Sequence, residues 1–108
     1  MHGPSAANPS VDVPGAPSPG FTQLDVTQWH DYEIEWRRDS ITWLVDGTTI
    51  GTATRAQYEA AVGDWTPFSG EWPVYLILSV PVGNSWVGDE IGALPAQMAV
   101  ESVKAYKL

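Results

Sequence analysis

At 108 residues the chain has room for one small domain, because a chain of this size hides roughly two-thirds of the surface its unfolded form exposes. Its 13 Asp and Glu against 5 Lys and Arg give a formal charge of -8, so it lacks the basic field of a nucleic-acid or anionic-membrane binder, and a neutral partner fits better. With no cysteine there are no disulfide staples or thiolate zinc sites, two histidines far apart do not make a metal site, and no cofactor or metal is expected.

The opening Met1-His2-Gly3-Pro4 has neither the basic nor the apolar region of an export signal, and no run approaches the eighteen or so apolar residues of a membrane span. Residues 1–20 hold five of the nine prolines and three of the ten glycines, which predicts that 1–27 is irregular chain and that folded structure begins at residue 28. From there Tyr32, Ile34 and Trp36 alternate with Glu33 and Glu35, the period-two pattern of a strand with one buried face. Ile41, Trp43 and Val45 continue as a second strand, and Asp46-Gly47 supplies the two positive-φ positions of a tight turn before Thr48, Thr49 and Ile50 return in a three-stranded meander.

The one predicted helix is Arg55 to Val62, with Thr54 as its N-cap and Gly63 as its stop. A polar and aromatic loop follows through Trp72. The almost continuously apolar run Val74 to Val80 is expected to form a central strand covered on both faces. Met98 to Tyr106 is expected to be the last strand, with Val100 and Val103 in the core. Strands dominate, no alternation of strand and helix is present, and the class expected is an antiparallel β-sandwich or jelly roll.

The block Trp29-His30-Asp31-Tyr32-Glu33-Ile34-Glu35-Trp36, followed by Ile41 to Gly47 (ITWLVDG), resembles the glycoside hydrolase family 16 pattern in which W-H-x-Y-x-x-E-W precedes a strand ending in V-D-G. Pro73 to Ser79 (PVYLILS) followed by Val82-Gly83-Asn84-Ser85-Trp86 is similar to the family's P-x-x-L-I-L-N and V-G-G-N-W run. Pro95 to Tyr106 resembles its closing strand. In order and spacing the likeness covers 29–108, the C-terminal half of an endo-β-1,3-glucanase or laminarinase-like domain, and it implies a concanavalin A-like sandwich that is incomplete here.

The reaction that the resemblance implies is retaining hydrolysis of a β-glycosidic bond, with one carboxylate as nucleophile and a second as acid and then base. In the family both stand on one strand in an E-x-D-x-E or E-x-D-x-x-E motif, and this sequence contains neither. Glu33 and Glu35 are two apart, but their place in the pattern is the later structural strand. No catalytic residue is therefore assigned. His2-Gly3-Pro4 resembles the H-G-P that follows the catalytic strand, so the chain is expected to start just beyond it.

The same resemblance implies a sugar-binding set. Trp86 matches the family's cleft tryptophan, whose indole stacks on a pyranose ring; the alternative is a loop aromatic that closes the core edge. Asn84 and Ser85 depart from the family's glycine and asparagine beside it. His2 is placed in the cleft by analogy, against the alternative of a frayed terminus, and His30 reads as a hydrogen-bonded structural residue. Trp65 and Trp72 flank the 66–71 loop as candidate rim residues, whereas Trp36 and Trp43 read as core. Asp89-Glu90 is too sparse for a calcium loop.

Two functions follow as expectations. One is the C-terminal portion of a β-glucan hydrolase, inactive alone, whose exposed sheet is covered by a missing N-terminal half or another chain. The other is a non-catalytic carbohydrate-binding or structural module of a larger assembly. The expected partner of either is a neutral polysaccharide such as β-glucan, and an extracellular location is what the resemblance implies.

Overall fold

The computed structural model describes residues 2–3, 11–17, 24–79 and 97–107. The chain divides into a unit that runs to Pro73 and a second from Val74 to Lys107. In the first, strands β3 (Tyr32–Arg37), β4 (Ser40–Val45) and β5 (Thr48–Thr54) form an antiparallel meander in the order β3-β4-β5. This is an incomplete antiparallel all-β fold with the predicted short helix, α1 (Arg55–Ala61).

The turn chemistry that closes the meander is as expected. Asp46 and Gly47 both take positive φ, 50° and 76°, which matches the right-handed twist of a two-residue hairpin. Register then decides which side chains share a face. Tyr32 stands opposite Val45, Ile34 opposite Trp43 and Trp36 opposite Ile41, while Ile41 stands opposite Ala53 and Trp43 opposite Gly51. A register shift between Trp43 and Leu44 leaves Ile50 as the extra residue of β5, a bulge that bends the strand locally.

Burial along this apolar face is uneven, and Val45, opposite Tyr32, is itself only 5% exposed. Ile41 and Ala53 are buried with Val13, Tyr58 and Trp65, and Ala16, Trp36, Trp43, Val62 and Phe68 pack around them. At the other end Tyr32 and Ile34 are 67% and 58% exposed. The alternation in β3 is therefore correctly periodic, but of its three apolar residues only Trp36 packs against the core.

Among the described residues of 1–27, expected to be irregular chain, two short strands are present. His2–Gly3 (β1) pairs antiparallel with Val11–Asp12 (β2), and the Val13 side chain that follows is buried. A turn closed by the Ala16 N–H on the Val13 carbonyl, 3.0 Å, brings Gly15 onto β5. A Cβ on Gly15 would stand 2.0 Å from the Thr52 carbonyl oxygen, and one on Gly51 would stand 2.7 Å from the Gly15 oxygen. Two glycines thus allow two backbones to touch where any side chain would separate them.

Helix α1 starts where its cap predicts. The Thr54 hydroxyl accepts from the Gln57 N–H at 3.3 Å, and the helix ends with the Val62 and Gly63 N–H groups both on the Tyr58 carbonyl. Asp64 then accepts from the Thr66 N–H and hydroxyl, 2.9 and 2.7 Å, which fixes the start of a single 3-10 turn, Thr66–Phe68.

In the second unit the expected strands are not formed. Residues 74–79 and 97–107 have no regular secondary structure, and Val74 to Leu78, Val100 and Val103 are exposed. An apolar run has strand chemistry, but a central strand exists only once both neighbours donate their ladders. No helix among the described residues is long and apolar enough to cross a membrane.

Candidate functional site

The loop that follows α1 is an aromatic plug. Tyr58, Trp65 and Phe68 meet edge to face or tilted, with centroids 5.1 to 5.6 Å apart, within the range in which such pairs attract. Two indoles secure the plug to the sheet: Trp65 donates to the Arg38 carbonyl at 2.8 Å and Trp36 donates to the Phe68 carbonyl at 2.6 Å. Burial pushes the Tyr58 phenol above its usual range, and the Asp64 carboxylate adds to the rise.

This arrangement corrects one expected site residue. Trp65 has no exposed surface, so it cannot form the rim of a glycan site without unpacking the core; its polar loop neighbours hide a packing role that only the tertiary contacts with Tyr58 and Phe68 reveal. Trp36 and Trp43 pack against the core, as expected. Trp72 is 56% exposed and keeps the surface a ring-stacking residue needs. His2 lies in β1 opposite Asp12. Asn84, Ser85 and Trp86, like Asp89 and Glu90, lie outside the described residues. Among the described residues no group of acids and histidines could hold a metal ion.

Sequence reasoning singled out neither Trp29 nor Tyr32 as a surface residue, yet both are exposed. They flank His30, whose ring meets that of Tyr32 edge-on with centroids 6.3 Å apart. His30 itself has the hydrogen-bonded structural role its position suggests. Its Nδ1 lies 2.7 Å from Asp46 Oδ2 and its Nε2 lies 2.8 Å from the Asp25 carbonyl oxygen. The other Asp46 oxygen accepts from the Asp31 N–H at 2.9 Å, and the Asp46 N–H returns a bond to the Asp31 carbonyl at 2.9 Å.

The charges in this network act together. The bond to Asp46 raises the His30 pKa above its ordinary 6.5, helped by the Asp25 carbonyl. The bond from His30 lowers the Asp46 pKa below its ordinary 3.8, helped by the Asp31 N–H. Asp25 is lowered as well, first by the Thr27 hydroxyl and then by the Thr27 N–H.

The carboxylates that could be considered for catalysis stand on the opposite face of β3. Glu33 is opposite Leu44 and Glu35 opposite Thr42, away from the side that carries Ile41 and Ala53. Glu35 pairs with Arg37 at 3.4 Å. This is an exposed, weak contact of the kind that solvates a sheet face.

Residues 20–102 match the family model described as "Glycosyl hydrolases family 16". The chain is 31% identical over 84 residues to the "Beta-glucanase" of Rhodothermus marinus, which covers 75% of this chain and 29% of that protein. It is 30% identical over 89 residues to "Glucan endo-1,3-beta-glucosidase A1" of Niallia circulans, 79% of this chain and 13% of that one. "Crh-like protein 3" of Botryotinia fuckeliana (strain B05.10) is 38% identical over 71 residues, 58% of this chain and 16% of that protein. The chain thus spans less than a third of each of these relatives. No solved structure matches it.

Proposed function

The chain belongs to glycosyl hydrolase family 16, and on that premise we propose that it is the C-terminal part of a β-glucan-directed domain, which holds neutral polysaccharide and does not cleave it alone. The observation that carries this reading is the combination of a family match over 20–102 with the position of Glu33 and Glu35. They form the one E-x-E pair in the sequence, and they stand on the face of β3 opposite to Ile34 and Trp36 with no acid between them. Retaining hydrolysis needs two carboxyl groups about 5–5.5 Å apart that share one cleft. The Glu35 carboxylate is turned instead to Arg37 at 3.4 Å, which supports leaving the pair without a catalytic role.

Binding is assigned to the 84–86 run, with Trp86 as the stacking residue and Asn84 and Ser85 as polar neighbours. Trp72 and His2 are further members of the set. The charge of -8 suits an uncharged glycan, and an extracellular location accords with a polysaccharide partner. A second reading, a non-catalytic module of a larger assembly, is favoured by the exposure of Tyr32 and Ile34. In either case an N-terminal half or another chain would cover that surface.

Titration with a laminarin oligosaccharide tests the proposal. Half a site should bind no tighter than about millimolar, roughly -4 kcal/mol, and Trp86→Ala should weaken binding several-fold while the melting temperature stays unchanged. If Trp86→Ala binds as the wild type does, the sugar site lies elsewhere. An E-x-D-x-x-E strand encoded upstream would separate the hydrolase reading from the module.

A further inference from the structure

The environment of His30 constrains its protons by geometry. The Asp25 carbonyl oxygen can only accept, so Nε2, 2.8 Å away, carries a hydrogen. Nδ1 faces Asp46 Oδ2 at 2.7 Å, and Asp46 already accepts from the Asp31 N–H through Oδ1. With Nε2–H fixed, a neutral ring turns its Nδ1 lone pair toward a carboxylate oxygen, which repels it. A doubly protonated ring donates at both ends.

The two partners belong to different parts of the unit. Asp25 lies in the segment that approaches the sheet, and Asp46 is the first residue of the β4–β5 turn, held at φ 50°. The His30 side chain that joins them is 13% exposed, whereas the Asp46 side chain is 51% exposed, so the joint is sheltered on the imidazole side and open to water on the carboxylate side. From these relationships we propose that His30 and Asp46 form a proton-operated clasp. It fastens the stretch from Asp25 to His30, with the exposed indole of Trp29, to the Asp46–Gly47 turn while the imidazole is protonated and releases it when the ring is neutral, the two Asp31–Asp46 bonds staying in place.

The groups that face His30 are few. Asp46 comes from the turn. Asp25 and the Asp31 backbone come from the approach segment, and the Tyr32 ring edge from β3. The sign of the effect follows from both partners. His30 is raised, so its contribution is complete below the ordinary imidazole value of 6.5 and is lost as pH climbs through the raised value. Asp46 is lowered, so its contribution is present above 3.8 and is lost as pH falls through the lowered value. The clasp is closed between these limits and opens on both sides.

The proposal needs no glycan, so its test is separate from that of binding. In the 108-residue chain the imidazole C–H resonances are followed by NMR from pH 3 to 9, with His30→Gln identifying which of the two histidines is which. His30 should titrate above 6.5, and the Asp31 amide resonance should move with the same midpoint as the Asp46 carboxylate it bonds loses its His30 partner. Asp46→Asn keeps a residue that tolerates positive φ but removes the charge, and should return His30 toward its ordinary value. If that variant fails to fold, the wild-type titration decides. A His30 midpoint at or below 6.5, or an Asp31 amide indifferent to the His30 titration, overturns the clasp.

Discussion

The indole N–H of Trp65 donates to the carbonyl oxygen of Arg38 at 2.8 Å, so the bulkiest fully buried side chain among the described residues is also tied to the backbone between β3 and β4. Trp65→Ala should therefore destabilise the chain by about 3–5 kcal/mol, the cost of a large cavity. Trp65→Phe restores part of the packing but leaves the Arg38 oxygen without its donor, a penalty of about 1–3 kcal/mol. Urea unfolding measures both. Trp72→Ala, at an exposed position, serves as the control and should change stability by no more than about 0.5 kcal/mol; equal losses for Trp65→Ala and Trp72→Ala would remove Trp65 from the core.

Gly15 and Gly47 both hold positive φ, 82° and 76°, but only one is crowded. A methyl group at Gly15 meets the Thr52 backbone, whereas one at Gly47 meets nothing within 4 Å. Gly47→Ala should cost about 1–2 kcal/mol from conformation alone. Gly15→Ala should cost more, because the turn carrying Val13 must lift from β5. The melting temperatures of the two variants order the effects, and a smaller loss for Gly15→Ala would mean that 13–17 does not pack as described.

The Thr54 cap is a local term. Thr54→Ala removes the acceptor for the Gln57 N–H and should cost about 1 kcal/mol, whereas Thr54→Asp should recover most of it. Because α1 carries Tyr58 into the core, the loss should appear in the global unfolding transition as well as in helix content. Failure of Thr54→Asp to recover stability would show that the cap is not what fixes the helix start.

The parts of the fold legible in the sequence are those set by neighbours along the chain. Tyr32-Ile34-Trp36 is periodic, Asp46-Gly47 fits the left-handed region, and Thr54 and Gly63 bracket a helix, each for reasons contained within ten residues. What could not be read depends on distant partners. The β1–β2 pair is two residues long on each strand and sits among prolines, too short for any period to register. The Gly15–Gly51 contact joins backbones 36 residues apart. Residues 74–79 have the composition of a central strand, yet composition supplies no neighbouring ladder.

The same division holds for the candidate site. The place of His30 in a recurrent motif marks it as structural, but its partners Asp25 and Asp46 are separated from it by 5 and 16 residues, and no spacing rule links the three. Trp65 and Trp72 look alike in sequence, as aromatics at the two ends of a polar loop. Only the closure of Tyr58 and Phe68 around the first distinguishes core from surface.

Reducing-sugar release from laminarin by the 108-residue chain separates a part of a family 16 domain that holds glucan from one that cleaves it unaided. Release should be no greater than the enzyme-free blank at any pH from 4 to 8. Release above that blank, abolished by Glu33→Gln or Glu35→Gln while the thermal melt is unchanged, would make the Glu33–Glu35 face of β3 a catalytic surface and overturn the proposed function.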